Sequence, residues 1–236
     1  MHINNARFSA IFLSACLVLG TRASFASEEN ADQLTQAALG MDAHPEQGAA
    51  TFARYCSQCH GLKAQGDAAS AAPSLAGQRF AYLVRQIANL GSAERDDAAM
   101  YHVVSNKAIS DPQTWSDVAS YLNRMMPAAD VETGDGVKTA LGRGIFHEQC
   151  ASCHQKDASG DREGFVPSLR HQRYTYLVNQ LHRMAGGHRH NVDQSLVLFM
   201  RSLDESDMVA VADYLSRLRG PGSPHQRMLS NGVVVD

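Results

Sequence analysis

Cys56-Ser57-Gln58-Cys59-His60 and Cys150-Ala151-Ser152-Cys153-His154 decide the reading of this chain. Cys-x-x-Cys-His is the attachment signature of c-type haem. Two thiols spaced by two residues reach the two vinyl groups on one edge of a porphyrin, and the next residue brings an imidazole to the iron. A redox Cys-x-x-Cys or half of a zinc site explains one such pentapeptide by accident. It does not explain two, each followed by its own copy of one downstream pattern. Cys56, Cys59, Cys150 and Cys153 are therefore the candidate anchors of two covalently bound haems c, with His60 and His154 as proximal iron ligands.

Working outward, the chain matches itself at an offset of 94 residues. Gly48 falls on Gly142 and Phe52 on Phe146; Pro73-Ser74-Leu75 falls on Pro167-Ser168-Leu169, and Gln78-Arg79 on Gln172-Arg173. Tyr82-Leu83-Val84 and Gln86 fall on Tyr176-Leu177-Val178 and Gln180. The register then slips to 93, pairing Val118-Ala119 and Tyr121-Leu122 with Val211-Ala212 and Tyr214-Leu215. One structural unit is used twice.

Each unit reads as helical. Pro45 suits the first turn of a helix that carries Phe52 and Tyr55 to the first haem motif. From Phe80 to Leu90, apolar residues recur at three- and four-residue spacings. Asp111-Pro112 caps a third helix running through Leu122. The second unit repeats this with Ile145/Phe146, Tyr176 to Met184 and Ser206 to Leu218. No alternation of strand type stands out, so the expected fold is all-α. The expected segments are a signal peptide (1–26), a flexible N-terminal stretch (27–43), a first unit (44–126), a Gly-, Pro- and acid-rich linker (127–136), a second unit (137–220) and a tail (221–236).

Hydrophobic residues make up 44% of the 236 positions, and a formal net charge of −3 gives no reason to expect nucleic acid. Arg7, the apolar run from Ile11 to Leu19 and the small-x-small box Ser24-Phe25-Ala26 read as a secretory signal, so the expected location is periplasmic. Leu13-Ser14-Ala15-Cys16 also resembles a lipoprotein box, which leaves a lipid anchor on Cys16, and with it peripheral membrane association, as the alternative. Phe8 to Gly20 is too short to span a bilayer. With Cys16 removed, the other four cysteines are consumed by the haems, and none remains for a disulfide.

Tandem haem motifs, each followed by Pro-Ser-Leu-x-x-Gln and Tyr-Leu-x-x-Gln, resemble the dihaem cytochrome c4 family over about residues 44–220. The resemblance implies two tandem class I cytochrome c domains related by a pseudo-twofold axis. It implies that Gly48/Phe52 pack near Tyr121 and Gly142/Phe146 near Tyr214, and that the carbonyls of Pro73 and Pro167 accept hydrogen bonds from the proximal imidazoles, fixing their orientation. It also implies a methionine as sixth iron ligand. Met100 occupies the family's place in the first unit, between the Tyr82 and Asp111 helices, with a core methionine as the ordinary alternative. In the second unit that position falls on Leu196. Met200, one turn later, is the first choice there, with His188, His190 and an open iron as competitors. Arg79, Arg85 and Arg173 read equally well as propionate contacts, partner contacts or surface residues.

The function implied is that of a periplasmic single-electron carrier rather than an enzyme. Its redox partners would be a membrane quinol-oxidising complex or a dehydrogenase subunit on one side and a terminal oxidase or reductase on the other. The alternative is a dihaem redox enzyme or the haem subunit of a dehydrogenase, peroxidase-like or oxidising sulfur compounds.

Overall fold

The computed structural model describes residues 22–220. The apolar core of the expected signal, Cys16 included, and the expected tail at 221–236 lie outside them. Among the described residues the regular structure is helical, and two isolated bridges, Asp67 with Ala72 and Arg95 with Arg189, are the only β-type pairings.

The first unit is built from α2 (Pro45–Tyr55), α3 (Ser57–His60), α4 (Phe80–Gly91), α5 (Ala98–Val104) and α6 (Pro112–Arg124). The boundaries follow local chemistry. Pro45 opens α2; the Asp97 and Asp111 carboxylates accept hydrogen bonds from Met100 N and Thr114 N, capping α5 and α6. Where α2 crosses α6, Gly48 is the contact: a Cβ there would lie 2.1 Å from the Asp117 carbonyl oxygen. That approach brings Phe52 and Tyr121 together, ring centroids 5.7 Å apart. Phe52, Leu83, Val84, Trp115 and Leu122 form the core.

The second unit repeats the plan with α7 (Thr139–Ile145), α8 (Ala151–His154), α9 (Tyr174–Ala185), α10 (Gln194–Ser202) and α11 (Glu205–Ser216). Gly142 is its crossing point, where a Cβ would meet the Ala210 carbonyl oxygen at 1.9 Å. Phe146 stacks near Tyr214 at 5.6 Å. Both expected aromatic contacts are present. One local difference separates the copies. In the first, Cys56 N donates to Phe52 O in α-helical register, whereas Phe146–Cys150 forms a π-turn in which Ala151 N reaches Phe146 O.

One segment departs from the sequence reading, and the linker is held in place. Residues 27–43 were expected to be flexible, yet Arg22–Leu39 is helical (α1) and packs on α4 and α6. Ala31, Thr35 and Ala38 are buried, and Asp32 pairs with Arg85 of α4 at 2.5 Å. Small residues at i, i+4 and i+7 make a flat stripe that allows close helix packing while adding little apolar signal. The 127–136 linker is strapped to the second unit: Gly136 N donates to Asp213 Oδ2 at 2.9 Å, Glu132 accepts from the Thr175 hydroxyl, and Arg219 Nε donates to Ala129 O.

The units meet through reciprocal contacts. Gln78 Nε2 donates to Ser168 O at 2.9 Å while its Oε1 accepts from Ser168 N at 2.8 Å. Gln172 does the same to Ser74, at 3.1 and 2.9 Å. Arg79 Nε donates to Ser159 O and Arg173 Nε to Gln65 O, at 2.7 and 2.8 Å. Each of these residues is exchanged with its repeat partner by the 94-residue offset, so the interface has a pseudo-twofold axis.

Candidate haem-attachment sites

Each haem motif sits at a sharp stop. α3 ends at His60, and Gly61 follows with φ of +76°; α8 ends at His154, and Gln155 takes φ of +67°. The chain then folds back so that Gly66 and Gly160, both at positive φ, let it pass against the proline segment; a Cβ on either would lie 2.4 Å from the carbonyl oxygen of Ala72 or Pro167. This reversal brings the prolines back to the imidazoles. His60 Nδ1 lies 3.1 Å from Pro73 O and His154 Nδ1 lies 3.2 Å from Pro167 O. A carbonyl oxygen only accepts, so Nδ1 carries the proton in both rings and Nε2 keeps its lone pair for a metal.

Burial lowers the pKa of both imidazoles, and the proline hydrogen bonds oppose it. They are held neutral, as iron ligation requires. Burial, with a smaller push from the neighbouring thiols Cys59 and Cys153, raises Cys56 and Cys150 to about 11. Cys59 and Cys153 are exposed and all four thiols are free. Among the described residues no three His, Cys, Asp or Glu side chains gather closely enough to hold a bare metal ion. Two free thiols beside an imidazole of fixed tautomer, spread rather than convergent, fit a macrocycle fastened at its rim.

The distal candidates differ in setting. Met100 is half-buried in the first turns of α5, its N–H held by Asp97. Met200 is buried on α10 among Leu177, Leu181, Met208 and Val211, with Cys150 at the edge of that cluster. Leu196 lies one turn earlier on the same helix and is partly buried there. His188 and His190 are exposed, and His188 lies 3.9 Å from Asp96 of the first unit.

The arginines resolve into distinct roles. Arg79 and Arg173 clamp the opposite unit. Arg85 lies between Asp32 and the Phe165 ring, 5.1 Å from its centroid. The sequence reading missed a more buried pair, Arg95 and Arg189, although they too fall on each other at the 94-residue offset.

The comparisons with known proteins converge on this architecture. The family model described as "Cytochrome C oxidase, cbb3-type, subunit III" matches residues 43–135, and that described as "Cytochrome c" matches residues 139–219. Cytochrome c4 of Pseudomonas aeruginosa is 27% identical over 176 residues, covering 70% of this chain and 85% of that protein. The structure of reduced recombinant cytochrome c4 from Pseudomonas stutzeri superposes with a TM-score of 0.66 at 23% identity, over 75% of this chain and all of that one. Thiosulfate dehydrogenase (TsdBA) from Marichromatium purpuratum gives 0.65 at 27% identity, over 74% of this chain and 40% of its own. With two haem motifs, two like-built helical units that each match a cytochrome c family model, and a reciprocal interface between them, the chain is a tandem of cytochrome c units, an electron-transfer protein similar to the cytochromes c4.

Proposed function

We propose that this chain is a periplasmic carrier holding two haems c, one on Cys56, Cys59 and His60 and the other on Cys150, Cys153 and His154. It passes single electrons from a respiratory donor, a quinol-oxidising complex or a dehydrogenase, to a terminal oxidase or reductase. The observation that carries the reading is the duplicated motif with the same imidazole-to-proline hydrogen bond in each copy. Haem iron, when bound, supplies the one-electron couple. The chain's own residues orient each imidazole and keep it neutral. Met100 and Met200 are the proposed sixth ligands; a thioether favours ferrous iron and raises the potential. The match of one unit to a cbb3-type oxidase subunit supports an oxidase as electron acceptor.

Intact-mass analysis of matured protein tests the stoichiometry directly. Two haem additions are expected, and one or none refutes the reading. A second reading, in which the chain serves a sulfur-compound dehydrogenase, draws on the likeness to thiosulfate dehydrogenase. Prompt reduction of the purified protein by thiosulfate alone would favour it over the carrier.

A further inference from the structure

An open cavity of about 710 Å³ lies on the seam between the units, where Arg79 of the first unit reaches the loop that follows the second haem motif. Its walls are Arg79 and the segment 155–163, and its volume is that of sites which hold small molecules. This loop returns the Pro167 carbonyl to His154 Nδ1, the nitrogen turned away from a metal.

The side chains around the cavity leave positive charge unanswered. Arg79, half-buried, donates through Nε to Ser159 O at 2.7 Å. Lys156 and Arg162 are exposed. None of the three joins an ion pair among the described residues. Of the lining acids, Asp157 is taken by Arg170, and Asp161 accepts from Glu163 N at 3.0 Å. Burial lowers the pKa of Arg79 first, and the charges of Arg162 and Arg170 then lower it more than those of Asp157 and Asp161 raise it. Three cations therefore share one concavity, and the exposed Glu163 is the one lining acid that pairs with nothing among the described residues.

The duplicated fold carries its own control. What the loop needs for folding recurs at the 94-residue offset. Arg173 clamps Gln65 O as Arg79 clamps Ser159 O. Gly66 answers Gly160, and Asp67 answers Asp161, with the Asp N–H donating across the turn to Ala72 O in one copy and Val166 O in the other. The cations do not recur: Lys156, Arg162 and Arg170 fall on Leu62, Ala68 and Ala76. The first unit closes the same turn with apolar side chains, so the fold does not require charge there.

We propose that Arg79, Lys156 and Arg162 bind a tetrahedral oxyanion of the phosphate or sulfate class, free or carried on a lipid headgroup. Each guanidinium presents paired N–H donors to two oxygens of such a group, and the ammonium adds a compact point charge. Arg79 belongs to the first unit and the other two residues to the second, so the bound anion bridges the seam and its occupancy adds to the docking of the units.

The test is calorimetric titration of the full-length holoprotein with inorganic phosphate at low ionic strength, where surface charge is least screened. One saturable site is expected. Lys156→Gln combined with Arg162→Gln should weaken it by about tenfold or more through the loss of two charge-assisted contacts. Glu163→Gln should tighten it, and Lys63→Gln, in the equivalent loop of the first unit, should leave it unmoved. A second arm sediments the protein with vesicles of phosphatidylglycerol and phosphatidylcholine in equal parts. Vesicle binding that falls with the double substitution identifies the headgroup as the source; vesicle binding that ignores it, beside phosphate binding that does not, identifies the free anion. Neither saturable heat nor substitution-sensitive vesicle binding, or a loss that Lys63→Gln reproduces, overturns the site. Should the double variant not accumulate, Glu163→Gln decides, and unchanged or weaker binding of phosphate and vesicles overturns the proposal.

Discussion

Gly142→Ala is expected to be one of the most damaging single-methyl additions available in this fold. The added carbon would start 1.9 Å from the Ala210 carbonyl oxygen and 2.4 Å from its carbon. Both obstacles are backbone, so no rotamer change relieves the clash. Reaching an ordinary 3.4 Å contact requires α7 and α11 to part by about 1.5 Å, which opens a close-packed interface. Phe146, fully buried, and Tyr214 sit on that interface. Overpacking of this kind costs about 1–3 kcal/mol and at times more. The better helix propensity of alanine returns only about 1 kcal/mol. A net loss approaching about 2 kcal/mol, the upper end of that balance and the one a backbone obstacle favours, lowers the melting midpoint of a unit this size by up to roughly 8–16 °C. Gly144, two residues away in the same helix, is the internal control. A Cβ there meets nothing within 4 Å, and the corresponding position of the first unit is already Ala50. Gly144→Ala should be neutral or stabilising by up to about 1 kcal/mol. Thermal melts of the two holoproteins followed by circular dichroism at 222 nm, the helical signal, make the comparison. Equal midpoints for the two variants would refute the argument from close approach.

Three further outcomes are expected. His171 Nδ1 donates to Ala128 O while its Nε2 accepts from Gly220 N, and burial, then Arg219 and Arg170, lower its pKa from 6.5. Its contribution to stability is therefore present above pH 6.5 and lost as the pH falls below it. His171→Asn, which tolerates the positive φ of 55° at this position and cannot take up a proton, should flatten the slope of melting temperature against pH in that range; an unchanged slope counts against the clasp. Gln78→Ala leaves both Ser168 backbone groups without their partner, and should cost about 1–3 kcal/mol, with faster proteolysis of the 127–136 segment; unaltered cleavage would show that the units stay docked without it. Met200→Ala should abolish the low-spin signal of one haem whereas His190→Ala leaves it intact, and the reverse pattern in optical and paramagnetic-resonance spectra would transfer the ligand role to the histidine.

The units themselves were legible because their signals are local. Pro45, Asp111 and the apolar spacing of Phe80 to Leu90 mark helix starts and faces without reference to anything distant. The self-match paired the equivalent residues of the two copies, and the family resemblance implied both glycine crossings. What escaped depended on partners far along the chain. The stripe Ala31, Thr35 and Ala38 means nothing until α4 and α6 are beside it. Nor does Phe146–Cys150 differ in length from its α-helical counterpart, so no insertion announces its π-turn. Arg95 and Arg189 look like ordinary surface residues until the twofold arrangement buries them against each other. The second distal ligand is hard to read for a related reason: the register slip falls between α9 and α11, where the two copies stop corresponding.

The reciprocal contacts of Gln78 and Gln172 have a consequence for assembly. A patch whose donors and acceptors complement their own repeat image is the kind that pairs two separate copies of one subunit. Here a ten-residue segment (127–136) joins the halves, and a short tether holds its ends at an effective concentration on the order of millimolar. An association too weak to persist between free subunits is thereby closed at any dilution. The spacing between the two Cys-x-x-Cys-His motifs becomes a property of the single chain, independent of how much protein the cell makes.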